Sequence, residues 1–480
     1  MSQDFRQESL RYEAGSYRDR DGRVFYGKSG DVYRALSPRA LAEWNAVRAT
    51  RFFSHAMSAG QIVRTDEIEP SDVEIEIDGS AWAGVLRHET IPFVSYPYEW
   101  TFGMLKDAAL LHLELLDAAL DENVTLKDGT AYNVQFVGTR PVFIDVASFE
   151  RLAPGQPWAG YRQFCRTFLY PLFMQGYKNV DFRPWLRGCL DGVSPADCAG
   201  LMSLGDLIRP GVLTHVMLHA RFESDRFVKA SNLQQALPRA GFNKALIKNN
   251  VARLARIIRR LNWKTPGSKW SSYTECNTYS ENDKARKEAF VRGAVASRPV
   301  RLAWDLGCNT GDYSRIAAEN ADCVVAMDGD HLAVEKLYQS LRTQPGGAGG
   351  AKILPLVSNI ADPSPNLGWR GQERKSLVER GRPELTLCLA LVHHLVIDAG
   401  IPLRDLLAWL AGLGTTLVIE FVAKSDPMVQ LLLRNRRDPV VDYELEYFER
   451  CLNELFQVSR SETLDSGTRT LYYAHTRSSS

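Results

Sequence analysis

The C-terminal half of this 480-residue sequence predicts an α/β fold with a parallel or mostly parallel sheet. Two observations predict it. Short apolar segments alternate with segments of helical length and periodicity, and a glycine-containing turn follows the first apolar segment. Strands that alternate with helices usually form parallel sheets with both faces covered, and such sheets bind ligands beyond the carboxyl ends of their strands.

The first predicted strand covers residues 302–306 and leads into a turn that reads D-x-G-x-x-x-G, from Asp305 to Gly311. Gly307 and Gly311 allow the backbone to turn tightly and to approach a ligand closely. Asn309 or Thr310 is expected to cap the helix that follows. The pattern predicts the start of a nucleotide-type cofactor site.

The second predicted strand ends at Asp328, where a carboxylate can accept hydrogen bonds from both hydroxyls of a ribose. A dinucleotide site usually has G-x-G-x-x-G, whose extra glycines admit a pyrophosphate. Here an acid, Asp305, precedes the first glycine and no third glycine is present. The pattern resembles motif I of class I S-adenosylmethionine-dependent methyltransferases, in which the first acid helps to hold the amino-acid end of the cofactor.

Further polar residues follow the later predicted strands. These strands cover residues 353–357, 385–392, 416–422 and 469–474, with helices at 332–341 and 403–413. Asn359, His393 and Glu420 lie at strand ends of the kind that meet at one edge of a sheet. We therefore expect these side chains to share one cleft with Asp305 and Asp328.

Six segments together form a wider pattern, namely residues 304–311, 359–365, 389–395, 419–422, 96–100 and 126–150. Through these segments most of the chain resembles a bacterial family of two-part methyltransferases that includes the nodulation protein NoeA. The resemblance implies a C-terminal Rossmann-like methyltransferase domain, S-adenosylmethionine as the cofactor, and methyl transfer. Asn359 departs from the family, where an acid is more common as the partner of the adenine amino group; an amide carbonyl can accept the same hydrogen bond.

Residues after the fourth strand suggest the acceptor chemistry. An Asn-Pro-Pro-Tyr type turn often accompanies nitrogen acceptors, but this sequence has Val392-His393-His394-Leu395. A neutral histidine can take a proton from a hydroxyl, which favours an oxygen acceptor. His393 is expected to matter more than His394, and Glu420 is the second candidate for substrate contact. The alternatives are a packing role for the histidines and a salt bridge for Glu420.

The N-terminal half predicts an α+β domain for which a protein-kinase-like fold is one of two open interpretations. Asp128 is followed five residues later by Asn133, then by a predicted hairpin and by Asp145. Kinase-like folds place a catalytic carboxylate and two magnesium ligands with this spacing. The sequence has no glycine-rich phosphate loop and no convincing phosphate-binding lysine. The second interpretation is that these residues only cap turns and end a strand.

A basic segment joins the two halves. Residues 226–273 contain no Asp or Glu, and arginines share one face of a predicted amphipathic helix. This face is either a phosphate-binding stripe, a solvated surface, or a partner for acids of the neighbouring domain. We predict an N-terminal domain over residues 1–225, a basic helical connector over 226–269 and a methyltransferase domain over 270–480. Tyr279, in the segment that precedes the first strand, is either a cofactor contact or a surface aromatic of a docking helix.

Composition agrees with a cytoplasmic enzyme. Lys and Arg total 58 against 57 Asp and Glu, and eight cysteines show no C-x-x-C pair, so no metal site is predicted. No apolar segment has the roughly 18 residues of a spanning helix. The favoured function is O-methylation of a small-molecule or glycan-type acceptor. The alternatives are an RNA methyltransferase that uses the connector, a regulatory cofactor-binding protein with a vestigial kinase-like domain, and a bifunctional kinase and methyltransferase.

Overall fold

A computed structural model describes residues 8–9, 11–27, 30–69, 73–74, 82–221, 243–264, 280–343, 348–434 and 442–477. Three sequence-based expectations fall partly or wholly outside these ranges. They are the contact by Tyr279, the domain boundary at residue 270, and those parts of the basic segment that lie before residue 243 and after residue 264.

The N-terminal part begins with an antiparallel sheet of five strands in the order β2-β3-β4-β7-β5. Two helices connect β4 to β5, and each begins at a hydroxyl N-cap, Ser37 or Thr50. A separate parallel pair joins β1 and β6. The elements are β1 (Glu8–Ser9), β2 (Arg11–Tyr12), β3 (Gly22–Tyr26), β4 (Val32–Leu36), α1 (Pro38–Arg48), α2 (Arg51–Ser58), β5 (Thr65–Ile68), β6 (Val73–Glu74) and β7 (Gly84–His88).

A mostly helical part follows, built around the long helix α3 (Phe102–Asp121), which is capped by Thr101 and buried on most of its surface. Two antiparallel strand pairs, β9–β10 and β8–β11, follow α3. The elements are β8 (Val124–Leu126), β9 (Val134–Val137), β10 (Arg140–Phe143), β11 (Phe149–Arg151), α4 (Tyr161–Phe164), a π-helical turn (Cys165–Leu169), α5 (Tyr170–Lys178), α6 (Arg183–Gly188) and α7 (Pro195–Leu201).

The described part of the basic connector is the helix α8 (Lys244–Arg260), which packs along α3. Lys248 contacts Asp121 at 2.6 Å, and Arg259 contacts Glu114 at 3.2 Å. The Nζ group of Lys106 donates to the carbonyl of Arg259 at the helix end. These pairs agree with the alternative in which basic residues of the connector meet acids of a neighbouring domain.

The C-terminal part contains a seven-stranded sheet in the order β14-β13-β12-β15-β16-β18-β17. The first five strands in this order are parallel, and β18 is antiparallel to both of its neighbours. The elements are α9 (Glu281–Val295), β12 (Val300–Leu306), α10 (Asp312–Ala317), β13 (Ala321–Asp328), α11 (His331–Thr343), α12 (Ala348–Lys352), β14 (Ile353–Val357), β15 (Leu385–Cys388), α13 (Leu403–Gly412), β16 (Thr416–Val422), α14 (Pro427–Leu433), α15 (Leu445–Leu455), β17 (Phe456–Thr463) and β18 (Arg469–Thr476).

This sheet agrees with the predicted α/β fold, with two differences. The edge strand β17 was not predicted, because most of its residues are polar and exposed and so lack a strand-like apolar pattern. The fourth strand ends at Cys388 rather than at residue 392, because Ala390 has a φ of 50°, which lies outside the β region that a strand requires. In the part of the chain that the structure describes, no helix is long and apolar enough to cross a membrane.

The long connection between β14 and β15 packs against the N-terminal part. Asp362 accepts hydrogen bonds from Arg187, and Glu373 accepts hydrogen bonds from Arg18. Tyr338 of α11 adds a further contact, because its hydroxyl donates to Asp107 at 2.6 Å. The two halves of the chain therefore share a polar interface that begins only a few residues after the end of β14.

Candidate cofactor and acceptor site

A cavity of about 670 Å³ lies at the carboxyl ends of β12, β13, β14 and β15. It lies where the strand order reverses, between β12 and β15, which is the usual ligand position in an open parallel sheet. The predicted residues that line it are Asp305, Gly307, Asn309, Asp328, Asn359 and His394. The structure thus brings most of the candidate residues together at one site.

The glycine turn forms one wall of the cavity. Gly307 and Gly311 have positive φ angles of 75° and 84°, and Asn309 has a φ of 48°. A Cβ atom on Gly307 would lie 3.2 Å from a methyl group of Leu391. The N-cap of α10 is Gly311 itself, so the predicted side-chain cap from Asn309 or Thr310 is wrong. The turn instead exposes backbone to the cavity.

Asp305 lies at the floor of the cavity and is only 2% exposed. Its carboxylate accepts a hydrogen bond from the hydroxyl of Ser314 at 2.6 Å. Burial raises the pKa of Asp305 to about 6. Ser314 was not identified from the sequence, although its position in the helix after the turn offered a signal. A positively charged ligand group placed beside Asp305 would favour the ionised carboxylate.

Asp328 ends β13 on the opposite side of the glycine turn. Its two oxygens accept hydrogen bonds from the backbone N–H of Asn309 at 2.9 Å and of Asp330 at 2.8 Å. Burial raises the pKa of Asp328, while these backbone donors oppose the shift. The contacts fix the direction of the carboxylate, and each oxygen keeps a lone pair for a ligand hydroxyl.

Asn359 lies on the third side of the cavity, two residues after β14. Its side-chain oxygen accepts a hydrogen bond from the N–H of Ala361 at 3.0 Å, which leaves the NH₂ group and one oxygen lone pair available to a ligand. Ile360, which is mostly buried, also lines the cavity and supplies an apolar surface beside Asn359. This combination suits a planar ring with a polar edge.

The two histidines occupy different environments. His394 lines the cavity, whereas His393 is fully buried behind it. Their rings lie side by side, with centroids 4.2 Å apart. Burial lowers the pKa of both imidazoles, and the nearby charge of Asp398 partly opposes the shift in His394. His393 was expected to be the histidine that faces the cleft, but His394 faces it instead, because the helical backbone after Ala390 turns His394 toward the cavity.

Glu420 does not reach the cavity, so the expectation that it contacts the acceptor is wrong. Its side chain is 0% exposed and accepts a hydrogen bond from Lys287 at 2.7 Å. It also accepts from the N–H of Ala390 at 2.8 Å, and Arg469 lies 3.4 Å away. The salt bridge that was the alternative for Glu420 is therefore present, with Lys287 and Arg469 as the partners, while Lys424 pairs with Glu444. Glu420 therefore holds the turn that precedes the histidines.

Lys287 is the main residue of the site region whose role the sequence did not reveal. It is 2% exposed, and its ammonium group lies 4.8 Å from the centroid of the Tyr313 ring. Both residues line the cavity. The sequence did contain a signal for burial, because Lys287 lies on the buried side of α9 together with core residues such as Phe290 and Val291.

The three polar residues singled out in the N-terminal half lie outside this cavity. Asp145 forms an ion pair with Arg34 at 3.0 Å. Burial, followed by the charge of Asp145, raises the pKa of Asp128. Among the described residues, no group of three or more His, Cys, Asp or Glu side chains is arranged to hold a metal ion.

The sheet order and the cavity define the C-terminal part as a methyltransferase-like α/β domain. The chain is 34% identical to nodulation protein NoeA of Rhizobium meliloti (strain 1021) over 467 residues, which covers 96% of this chain and 95% of that protein. The chain therefore belongs to the NoeA family. No family model matches the sequence.

Solved structures that align with this chain include several methyltransferases. N-methyltransferase NodS from Bradyrhizobium japonicum WM9 aligns with a TM-score of 0.30 at 12% identity, over 41% of this chain and 99% of that one. Magnesium protoporphyrin IX methyltransferase (ChlM) from Synechocystis PCC 6803 with bound SAH aligns with a TM-score of 0.29 at 16% identity, over 44% and 90%. Monomeric WbdD aligns with a TM-score of 0.28 at 20% identity, over 44% and 45%.

Proposed function

We propose that this protein is an S-adenosylmethionine-dependent methyltransferase that methylates a hydroxyl oxygen of a small-molecule or glycan-type acceptor. The observation that carries the proposal is the pair of carboxylates, Asp305 and Asp328, on adjacent strand ends of one cavity with the Gly307 turn between them. The buried Asp305 suits the ammonium group of the cofactor, and Asp328 suits the ribose hydroxyls. Asn359 and Ile360 suit the adenine.

S-adenosylmethionine, when bound, supplies a methyl group on a positively charged sulfur that is already a good leaving group. The protein therefore has to align the acceptor and to remove one proton. His394 lines the cavity, and its lowered pKa keeps the imidazole neutral at pH 7. A neutral imidazole can accept the proton of an acceptor hydroxyl. This supports oxygen methylation.

The RNA alternative rests on the basic connector. Lys248 and Arg259 of α8 pair with acids of α3, while Arg253, Arg256 and Arg260 are exposed. Part of the positive charge is thus used for packing. An aromatic platform for bases was not found in the sequence of the connector, so a small-molecule or glycan acceptor remains the better proposal.

We further propose that the N-terminal domain is a vestigial kinase-like domain. Two features support this arrangement. An antiparallel sheet is joined to α3 through the segment Tyr96–Trp100, and α3 is followed in order by Asp128, Asn133, the β9–β10 hairpin and Asp145. The guanidinium of Arg34 lies 3.0 Å from Asp145, where it neutralises a carboxylate that magnesium would need. Phosphoryl transfer is therefore not part of the proposed function.

Calorimetric titration with S-adenosylmethionine, followed by transfer of a labelled methyl group to separated small-molecule, glycan and RNA fractions, tests the proposal. We expect tight cofactor binding and label in the small-molecule or glycan fraction. Binding without transfer to any fraction would favour the regulatory alternative, and label in RNA would favour the connector-based alternative.

A second measurement tests the vestigial assignment. The double variant Asp128→Asn/Asp145→Asn is expected to transfer methyl groups at the rate of the unmodified protein. Loss of magnesium-dependent ATP binding in this variant, with an unchanged melting temperature, would contradict the assignment and revive the bifunctional alternative.

A further inference from the structure

A second large cavity, of about 770 Å³, lies between the two domains, and we call it the interdomain cleft. One side is formed by β3, β4 and the segment that follows β7, and the other by residues 373–380 of the connection between β14 and β15. Its apolar wall includes Val24, Val32, Val63 and Ile144. The cleft is thus larger than the proposed cofactor cavity and distinct from it.

Several polar atoms that line the interdomain cleft have no hydrogen-bond partner within the described ranges. They are the Nε–H of Arg34, the Nε–H of Arg374, the Nε2 atom of His88 and the hydroxyl of Tyr132. Buried polar atoms in native proteins are usually satisfied by protein, water or ligand. Four such groups around one cavity indicate that the cavity is built to hold a polar molecule.

The chemistry of His88 specifies one part of that molecule. His88 is 8% exposed, and burial lowers its pKa to about 3, so its ring is neutral. The hydroxyl of Thr65 donates to the carbonyl of Val63, so it accepts a hydrogen bond from Nδ1–H of His88. The Nε2 atom is then a bare acceptor. It requires a hydroxyl or amino donor from the ligand.

The two arginines specify another part. The guanidinium of Arg374 lies over the Tyr132 ring, 4.1 Å from its centroid, and within the described residues no carboxylate forms an ion pair with it. The guanidinium of Arg374 is best satisfied by phosphate or carboxylate oxygens. Arg34 is paired with Asp145 at 3.0 Å, so only its Nε–H is left as a further donor.

The acids on the wall of the cleft do not form an ion pair with Arg374, whereas Arg34 is paired with Asp145 and Asp19. Glu13 is paired with Lys375, and Glu373 is held by Arg18 and by the hydroxyl of Tyr17. The other two acids of the wall, Glu89 and Glu379, are exposed. An anion that enters the cleft therefore meets no unpaired buried carboxylate among these four acids.

We propose that the interdomain cleft is a second ligand site, which binds a phosphorylated, hydroxyl-bearing small molecule of the sugar phosphate or nucleotide class. The phosphate lies against the guanidinium of Arg374, the Nε–H of Arg34 supplies a further donor, and a hydroxyl of the ligand donates to His88. Arg374 belongs to the methyltransferase domain, so the ligand bridges both domains. The carbonyl of Val94, which also lines the cleft, already accepts a hydrogen bond from Arg380 at 2.9 Å and so does not serve as an acceptor for the ligand.

Calorimetry on the full chain, first saturated with S-adenosylhomocysteine and kept in EDTA, tests the proposal. The probes are ADP, UDP and glucose 1-phosphate, with inorganic phosphate as the reference. We expect at least one ester to bind with one-to-one stoichiometry and more tightly than inorganic phosphate, because the ester also satisfies His88. Preference among the probes distinguishes a nucleotide from a sugar phosphate.

Two variants locate the binding. Arg374→Gln and His88→Phe are each expected to weaken ester binding about 10- to 100-fold, the loss that follows removal of a hydrogen bond to a charged or buried group. Arg370→Gln is the matched control, since Arg370 is exposed on the same connection. Absence of ester binding, or binding that neither variant weakens while both remain folded, would overturn the proposal.

The test is independent of the proposed function. Gly307→Arg alters the cofactor cavity and is expected to retain ester binding. If the protein does not bind S-adenosylmethionine but ester binding still depends on Arg374, then the proposed function fails and the second site stands.

Discussion

The guanidinium of Arg380 and the carboxylate of Glu99 form a two-point ion pair that joins the two domains. Both hydrogen bonds are 2.7 Å long, and the two side chains are 1% and 2% exposed. Glu99 also accepts hydrogen bonds from Ser364 and from the N–H of Tyr96. The pair therefore links the connection after β14 to the segment that precedes α3.

Arg380→Met should destabilise the full chain by about 3–5 kcal/mol, because it leaves the Glu99 carboxylate buried without its partner. Urea unfolding measures the change. Arg382→Met is the control, since Arg382 is exposed and should alter stability by only about 0.5 kcal/mol. An equal effect of the two substitutions would show that the interdomain pair contributes nothing specific.

Gly307→Arg should abolish binding of S-adenosylmethionine, because the side chain would project from the turn that lines the cavity. The control is Gly467→Arg. Gly467 has a similar positive φ of 68°, with nothing within 4 Å of an added Cβ, so it carries the same backbone strain at a residue that does not line the cavity. Calorimetry on both folded variants measures their affinity for S-adenosylmethionine, which only the Gly307 variant is expected to lose. Retained affinity in the folded Gly307 variant would remove the cofactor assignment.

The affinity for S-adenosylmethionine should fall as the pH drops below about 6. The pKa of Asp305 is raised to about 6 by burial, and only the ionised carboxylate attracts the ammonium group of the cofactor. Protonation at lower pH removes that attraction, so the dissociation constant should rise by up to about tenfold per pH unit. Asp305→Asn should bind weakly and show a flat profile. A flat profile in the unmodified protein would contradict this role.

His394→Ala should lower the rate at saturating substrate by about 10²- to 10⁴-fold, the usual range for loss of a general base. The unmodified rate should rise with pH, because the neutral imidazole is the base. Its midpoint should lie below the unperturbed value of about 6.5, since burial lowers the pKa of His394. Cofactor affinity should stay unchanged.

His393→Ala provides the comparison. The ring is fully buried, so its removal should lower the melting temperature while the pH profile of the rate keeps its midpoint. If the His393 variant shows the larger rate loss and a displaced midpoint, the assignment of the base to His394 is incorrect.

Lys287→Met should destabilise the methyltransferase domain by about 3–5 kcal/mol, because Glu420 loses a buried partner at 2.7 Å. Arg292→Met on the same helix is the matched control. Arg292 pairs with Glu319 at the surface, where both side chains are about half exposed, so its loss should cost about 0–1 kcal/mol. Thermal unfolding of both variants measures the two losses of stability and tests whether burial of the ion pair accounts for the difference between them.

The sequence alone was sufficient for the local features of the methyltransferase domain. The glycine turn after Asp305 and the acid that ends the next strand, Asp328, both appear within short segments whose geometry follows from backbone conformation and apolar periodicity. Parallel strands place their carboxyl ends at one edge, so Asn359 could be assigned to the same cavity. The edge strand β17 was missed because it buries too little surface to leave a pattern.

Only the tertiary structure decided which polar side chains face the cavity. Glu420 is withdrawn by Lys287, which lies on a helix far away in the sequence, and the bend at Ala390 sets whether His393 or His394 points inward. Contacts between distant segments also place Arg374, from the connection between β14 and β15, in the wall of the interdomain cleft. Side-chain burial depends on contacts between distant segments, whereas strand and turn patterns depend on neighbours in the chain, and only the second kind of information can be seen in a single sequence.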